Sequence, residues 1–159
     1  LKMGRVFFNT RENIHNLTAS TYAVIDSDSG KVFTLNSTSA MTITLPTDAN
    51  VTTGWTAKFI VETANDNAYT IQTGDDADSG GDDFVGGVIL ASTTAGFGHA
   101  VLCAANDYEI VLDANLADSA GEVGSWITIT KLASNEWMVD GCVYSDDADS
   151  DGTALFTNS

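Results

Sequence analysis

The sequence predicts an all-β protein, a β-sandwich or jelly-roll-like domain that carries an extended N-terminal arm. Apolar and polar residues alternate with the two-residue period of a strand in about ten short segments. Turns rich in Gly, Asn and Asp separate these segments, and Pro46 is the only proline. No segment sustains the 3.6-residue period of a helix. With 159 residues, of which 43% are hydrophobic, the chain is long enough for one domain with a buried core.

Five strands are predicted in the first half of the body. The segment 41–45 alternates strictly and ends at Pro46, which cannot donate to a strand ladder. The other four alternate less strictly and are bounded by polar turns. They cover residues 21–25, 31–36, 56–62 and 69–72.

The second half is predicted to contain two hairpins. One would pair 99–104 with 108–112 around a turn at 105–107, and the other would pair 126–131 with 136–144 around Ser134 and Asn135. A strand over 84–90 precedes them, and a last strand covers 155–156. Residues 48–53 and 116–121 are the only segments suited to a short helical turn.

Charge divides the chain into two regions, an arm over residues 1–18 and one body domain over 19–159. Asp and Glu occur 22 times and Lys and Arg only 6 times, for a net charge of -16. Lys2, Arg5 and Arg11 supply half of the cations within eleven residues. An acidic body excludes nucleic acid and an anionic membrane surface as partners, since both require cations. No run reaches the ~18 apolar residues of a membrane span, and no signal peptide is visible.

Two cysteines, Cys103 and Cys142, lie in apolar strand-like runs. The favoured interpretation is two buried free thiols that act as small hydrophobic residues. A disulfide between them is the alternative, which spacing alone does not decide.

The candidate metal ligands are Asp147, Asp149 and Asp151, followed by Gly152. Alternate carboxylates before a glycine match the first half of a calcium loop. The second half does not match, because Asn158 stands where the bidentate Glu belongs. A solvated acidic loop and a structural Ca²⁺ site are therefore the two alternatives, and no other cofactor is expected.

No motif indicates catalysis, so the sequence predicts a protein that is not an enzyme. His15 and His99 are isolated in sequence, and no nucleophile elbow or zinc cluster is present. The three tryptophans suit core positions, with a sugar-binding platform as the alternative. Trp55, beside Gly54, is predicted to be the most exposed of them.

Two segments carry a family resemblance, Asp28–Leu35 and Ile43–Pro46, with 69–71 and 85–87 following in the expected order. They resemble β modules in the virion structural proteins of tailed bacteriophages, marine ones especially. Among these, a short domain with an arm is most similar to a capsid decoration (cement) protein.

The resemblance implies a non-enzymatic protein on the outer surface of the virion capsid. It implies binding to the major capsid protein and assembly as a homotrimer. The arm would supply the contacts to the capsid or to a neighbouring copy, through Lys2, Arg5, Val6, Phe7, Phe8 and Arg11. The alternative is a receptor- or glycan-binding module of a fibre or tail protein, which would use Trp55 and the acidic loops.

Overall fold

The computed structural model describes residues 13–75, 81–94 and 96–158, and regular structure in these ranges is almost entirely β. Short 3₁₀ turns form at Asp26–Asp28 and Asp48–Asn50, the second within a predicted helical turn. The strands are β1 (Ile14–Leu17), β2 (Thr21–Ala23), β3 (Val32–Leu35), β4 (Met41–Thr44), β5 (Thr56–Val61), β6 (Tyr69–Gln72), β7 (Asp83–Ser92), β8 (Gly98–Leu102), β9 (Glu109–Leu112), β10 (Trp126–Ala133), β11 (Glu136–Ser145) and β12 (Phe156–Thr157).

These strands form two sheets that enclose one core. The seven-stranded sheet has the order β1-β3-β5-β10-β11-β7-β8, and the five-stranded sheet has the order β12-β9-β6-β4-β2. Alternate residues of the central strands are buried, as in β5, where Ala57, Phe59 and Val61 face inwards. The predicted all-β sandwich is confirmed.

The first half of the chain winds between the two sheets instead of forming hairpins. Odd-numbered strands from β1 to β7 join the seven-stranded sheet, and β2, β4 and β6 join the other. Successive strands within each sheet are consequently parallel: β1, β3 and β5 on one side, β2, β4 and β6 on the other. The sandwich is therefore mixed, with antiparallel pairs concentrated in its second half.

Parallel winding places equivalent side chains of successive passes on top of one another. Phe33 lies opposite Phe59, and their rings stack with centroids 5.1 Å apart. Leu17, Leu35 and Val61 form a second buried row across β1, β3 and β5. Burial of such apolar side chains is the main favourable term in folding.

One of the two predicted hairpins is confirmed. β10 and β11 pair antiparallel around Ser134 and Asn135, and Asn135 adopts the left-handed conformation (φ 59°) that a tight turn requires. The other hairpin is wrong. β8 pairs with β7, whereas β9 crosses to the five-stranded sheet and pairs with β6 and β12. Residues 116–121 form turns without a helix.

Residues 14–17 of the predicted arm 1–18 are part of the body. Ile14–Leu17 form β1, which pairs in parallel with β3 at the edge of the seven-stranded sheet. These four residues therefore belong to the body, because their backbone hydrogen bonds are part of the sheet. The arm residues Lys2, Arg5, Val6, Phe7, Phe8 and Arg11 lie outside the described residues.

A buried tyrosine joins the two sheets at one end of the sandwich. Tyr69 in β6 is fully buried, and its Oη lies 2.7 Å from the carbonyl oxygen of Ser37 and 2.8 Å from that of Thr63. The same oxygen accepts the Ser37 N–H at 2.9 Å. Ser37 and Thr63 follow β3 and β5 of the other sheet. One hydroxyl therefore contacts the backbone of two segments in which the chain passes from one sheet to the other. Burial raises the pKa of Tyr69.

Tyr69→Phe should lower the free energy of unfolding by about 1–3 kcal/mol, because it leaves buried backbone groups without their partner. Urea unfolding measures the loss. Tyr22→Phe is the matched control, since the Tyr22 hydroxyl makes only a long 3.3 Å contact with Asp28 in a half-buried position. Equal stabilities for the two variants would contradict the role given to Tyr69.

Candidate interaction surface

Two lysines of the body are held on the surface by specific partners. Lys31 donates to Asp28 at 2.6 Å. Burial of Asp28 opposes its ionisation, but hydrogen bonds from Lys31 and the Ile25 N–H outweigh burial and lower its pKa. Lys58 lies over the Trp126 ring, 4.0 Å from its centroid. Neither ammonium group is free to meet a partner without giving up a contact.

The third lysine of the body is buried. Lys131 donates to Asp82 at 2.9 Å, forms an ion pair with Asp48 and lies 4.8 Å from the centroid of the Trp137 ring. Asp82 is fully buried, and its second oxygen has no hydrogen-bond partner among the described residues. The Lys131 hydrogen bond, followed by the Asn135 N–H, lowers the pKa of Asp48. One lysine against two carboxylates leaves the cluster with a net negative charge, but the fully buried Asp82 has its countercharge in Lys131. The lysine therefore serves the fold.

β8 is an edge strand of the seven-stranded sheet. Its ladder to β7 is bracketed by two backbone bonds, Ser92 N–H to Phe97 O at 2.9 Å and Cys103 N–H to Gly86 O at 3.1 Å. Bonded and non-bonded pairs alternate in an antiparallel ladder. The backbone groups of every second residue of β8 therefore point away from β7.

The outward-pointing residues of β8 are Gly98, Ala100 and Leu102, and all three are exposed. Leu102 is 71% exposed, the largest value among the large hydrophobic residues of the described chain. Within the described residues no other strand pairs with this edge. The edge therefore presents a short row of backbone donors and acceptors with small or apolar side chains.

A shallow apolar groove of about 310 Å³ lies beside this edge. Its walls include Leu102, Ile89 (50% exposed) and Met138 (42% exposed). The groove opens where the pairing of β7 with β11 is interrupted after Gly86 and resumes at Ile89. A Cβ on Gly86 would lie 2.6 Å from the Val139 carbonyl oxygen, so the close approach of the strands requires glycine here.

The sequence contains a signal for this surface that the alternation of apolar and polar residues does not reveal. Residues 84–106, which include β8 and all of β7 except Asp83, contain no Asp, Glu, Lys or Arg. In a chain with a net charge of -16, so long an uncharged segment marks either a buried element or a contact surface. The exposure of Leu102 and Ile89 identifies it as a surface.

The acidic loop at 147–151 is closed by its own hydrogen bonds. Asp147 Oδ1 accepts the Asp149 N–H at 2.9 Å, and Asp151 Oδ1 accepts the Thr153 N–H at 2.9 Å. The Thr153 N–H and hydroxyl lower the pKa of Asp151. Among the described residues, no three His, Cys, Asp or Glu side chains form a group that could hold a metal ion. Structural Ca²⁺ at Asp147, Asp149 and Asp151 stays a prediction.

The tryptophan prediction is wrong for Trp55. This side chain is only 3% exposed, meets Trp137 edge-on at 5.5 Å and donates from Nε1 to the Asp26 carbonyl at 3.1 Å. Trp137 is fully buried as well. Trp126, which lies half-buried under Lys58, is the most exposed of the three.

Cys103 and Cys142 are free thiols, and both are half-buried. The prediction of unpaired cysteines is confirmed, although neither is fully buried. Burial, with a smaller effect from the charge of Asp107, raises the pKa of Cys103 to about 12. This thiol is therefore protonated at neutral pH and is a poor nucleophile.

Comparisons with protein-family models, with curated proteins and with solved structures found no match. No helix in the described part of the chain is long and apolar enough to span a membrane.

Lys131→Ala should lower the free energy of unfolding by about 3–5 kcal/mol, because Asp82 would remain as an uncompensated buried charge. The double variant Lys131→Met/Asp82→Leu should regain much of this loss, since it removes both charges and keeps apolar volume. Urea unfolding measures both, with Lys58→Ala as the control for a half-buried surface lysine that has no carboxylate partner among the ion pairs of the described chain. A loss below about 1 kcal/mol for Lys131→Ala, the range of surface ion pairs, would contradict the structural role.

Glu122→Gln should stabilise the protein at neutral pH. Burial raises the pKa of Glu122, and repulsion by Asp146 and Asp66 adds to the effect. A folded-state pKa above the unfolded value means that the charged form opposes folding. The contribution of protonated Glu122 is thus complete below its unfolded pKa of about 4.3 and is lost as the pH rises through the folded pKa.

The measurement is the difference in melting temperature between Glu122→Gln and wild type across a pH series. The difference should be positive at pH 7 and vanish in acid, and Glu136→Gln, at an exposed position, is the control. A constant difference at every pH would show that the charge of Glu122 is not its cause.

Proposed function

We propose that this chain is a capsid decoration (cement) protein of a tailed bacteriophage, which binds the outer surface of the virion head as a homotrimer and has no catalytic role. The proposal rests on where the chain has cations that are not already engaged by side chains of the body. All three lysines of the body are engaged, by Asp28, by Trp126 and by the Asp48–Asp82 pair. The other three cations are Lys2, Arg5 and Arg11 of the arm.

This separation supports docking through the arm. An acidic body repels other copies of itself and any acidic surface, which keeps the free protein soluble and suppresses random contacts. The arm combines cations with the apolar side chains Val6, Phe7 and Phe8. Arg and aromatic residues commonly dominate binding energy, so the arm has the composition of a docking element for the major capsid protein or a neighbouring copy.

The same charges argue against other partners. Nucleic acid and anionic membranes both need a cationic surface, and the body offers no uncommitted lysine within the described residues. The glycan-binding alternative used Trp55 and the acidic loops, and the Trp55 ring is buried against Trp137. Trp126, the remaining half-exposed ring, is covered by Lys58. Reinforcement of a capsid therefore remains the better supported role.

Deletion of residues 1–11 should abolish binding to phage heads stripped of the wild-type protein, while the melting temperature of the body changes little. Co-sedimentation with the heads measures binding. Neutralising the arm by Lys2→Gln, Arg5→Gln and Arg11→Gln together should weaken binding strongly. Lys58→Gln, which removes a body cation, is the matched control and should bind normally.

Copy number separates decoration from a tail or fibre role. Quantitative mass spectrometry of purified virions should find hundreds of copies per particle, in a fixed ratio to the major capsid protein. A few copies per particle, or undiminished binding by the truncated protein, would refute the proposal.

A further inference from the structure

We propose that the β8 edge of one copy receives arm residues 3–8 of a second copy as an added strand. The inference rests on the docking role of the arm in the proposed function and adds the surface that accepts it. Strand addition to an exposed sheet edge is a common mode of peptide recognition, in which backbone bonds give affinity and flanking pockets give specificity.

The β8 edge lacks the features that protect exposed edges in isolated proteins. Such edges usually carry charged side chains, proline or a bulge that prevents pairing with another chain. β8 has none of these side chains, and its outward residues are Gly98, Ala100 and Leu102. The other edge strands, β1, β2 and β12, are also free of charged side chains, but β8 is the longest of the four and carries Leu102, which is 71% exposed. These two features favour β8 as the edge that is paired.

Grooves lie on both faces of this edge. The apolar groove of about 310 Å³ beside Ile89, Leu102 and Met138 lies on the outer face. A second groove of about 320 Å³ lies between β8 and the 151–153 loop, with Phe156 in its wall. Successive side chains of an added strand point to opposite faces. An arm strand would therefore place Phe7 on one face and both Val6 and Phe8 on the other.

Charge at the groove complements the arm. The groove between β8 and the 151–153 loop includes Asp107 and Asp151, and the outer groove includes Asp140. Asp140 and Asp151 are exposed and therefore available to a partner. In sequence, Lys2 and Arg5 precede the apolar residues Val6–Phe8 of the arm, and Arg11 follows them. A strand that combines cations with apolar side chains fits this edge, because β8 itself carries no charged side chain and the grooves beside it contain aspartates.

The reach of the chain makes the occupant a second copy. The arm leads into β1 at one edge of the seven-stranded sheet, and β8 is the opposite edge. Six spacings of about 4.8 Å separate these edges, or about 29 Å. Phe7 is six residues from Asn13, and six residues span at most about 21 Å. The Val6–Phe8 segment therefore cannot pair with β8 of its own body.

The resulting contact is head-to-tail, because the arm side of one copy meets the β8 side of the next. Heterologous contacts of this kind form a ring when the rotation between copies closes. A ring of three copies would satisfy every arm and every β8 edge and would account for the proposed homotrimer.

The test uses the purified chain without capsids, so that its result is independent of capsid binding. Sedimentation velocity over a concentration series should show association of the wild type and none for a variant lacking residues 1–11. Ala100→Pro removes an outward N–H and leaves the ladder to β7 intact. It should weaken association at least about tenfold, as should Leu102→Lys, which adds a protective charge to the edge. Val123→Lys, at an apolar turn residue that is 60% exposed against 71% for Leu102, is the matched control.

A peptide of residues 1–12 locates the acceptor on the truncated protein. It should slow amide hydrogen exchange at Gly98, Ala100 and Leu102. Urea unfolding checks that each variant is folded. If Ala100→Pro does not fold, the test relies on Leu102→Lys and on the peptide. A wild type that stays monomeric, a truncated protein that associates as well as wild type, or peptide protection at β1 and β2 instead of β8 would each overturn the proposal.

Discussion

The constraint on which the structure depends is the repeated crossing of the chain between two sheets. Because β1 to β7 alternate between sheets, each connection carries backbone polar groups across an end of the core. Buried polar groups need partners, so the ends of the sandwich require polar side chains inside it. Tyr69 meets this need for the crossings after β3 and β5. At the opposite end, Lys131 ties together Asp48 and Asp82, which lie in the crossings from β4 to β5 and from β6 to β7.

The pairing of lysines within the body also affects the charge of its surface. Lys131 pairs with the buried Asp82 and the half-buried Asp48, and Lys31 holds Asp28, so few cations remain to offset the many aspartates in the turns. The chain is acidic because 22 Asp and Glu outnumber 6 Lys and Arg, and the fold also engages the three lysines of the body. Binding to another molecule must then use either the basic arm or a surface without charge, and the β7–β8 segment is such a surface. Folding and recognition are thus linked through one small set of basic residues.

The sequence predicts local features well and long-range pairing poorly. Alternation located most strands, and the hairpin around Asn135 was predicted correctly because both of its strands and its turn are contiguous. The β8–β9 hairpin failed because alternation says which face a residue occupies and not which strand lies beside it. Trp55 was expected at the surface beside Gly54, yet its Nε1 reaches the Asp26 carbonyl, 29 residues away in sequence. The β8 edge was missed for the same reason, since only the pairing order identifies an edge.

Acidic surface and uncharged edge act together to determine which contacts form. An exposed edge without protective charge is a template for indiscriminate pairing, and a lone copy would carry that risk. The acidic body opposes contacts in which two bodies approach without the arm, because like charges meet across every such interface. At physiological ionic strength, repulsion between exposed charges is largely screened beyond about 8 Å. The repulsion therefore discriminates between contacts only when two bodies are already close together. In the proposed contact, an arm with three cations would lower this barrier for one geometry, and Gly98, Ala100 and Leu102 would then contribute backbone bonds that a misplaced partner would lose.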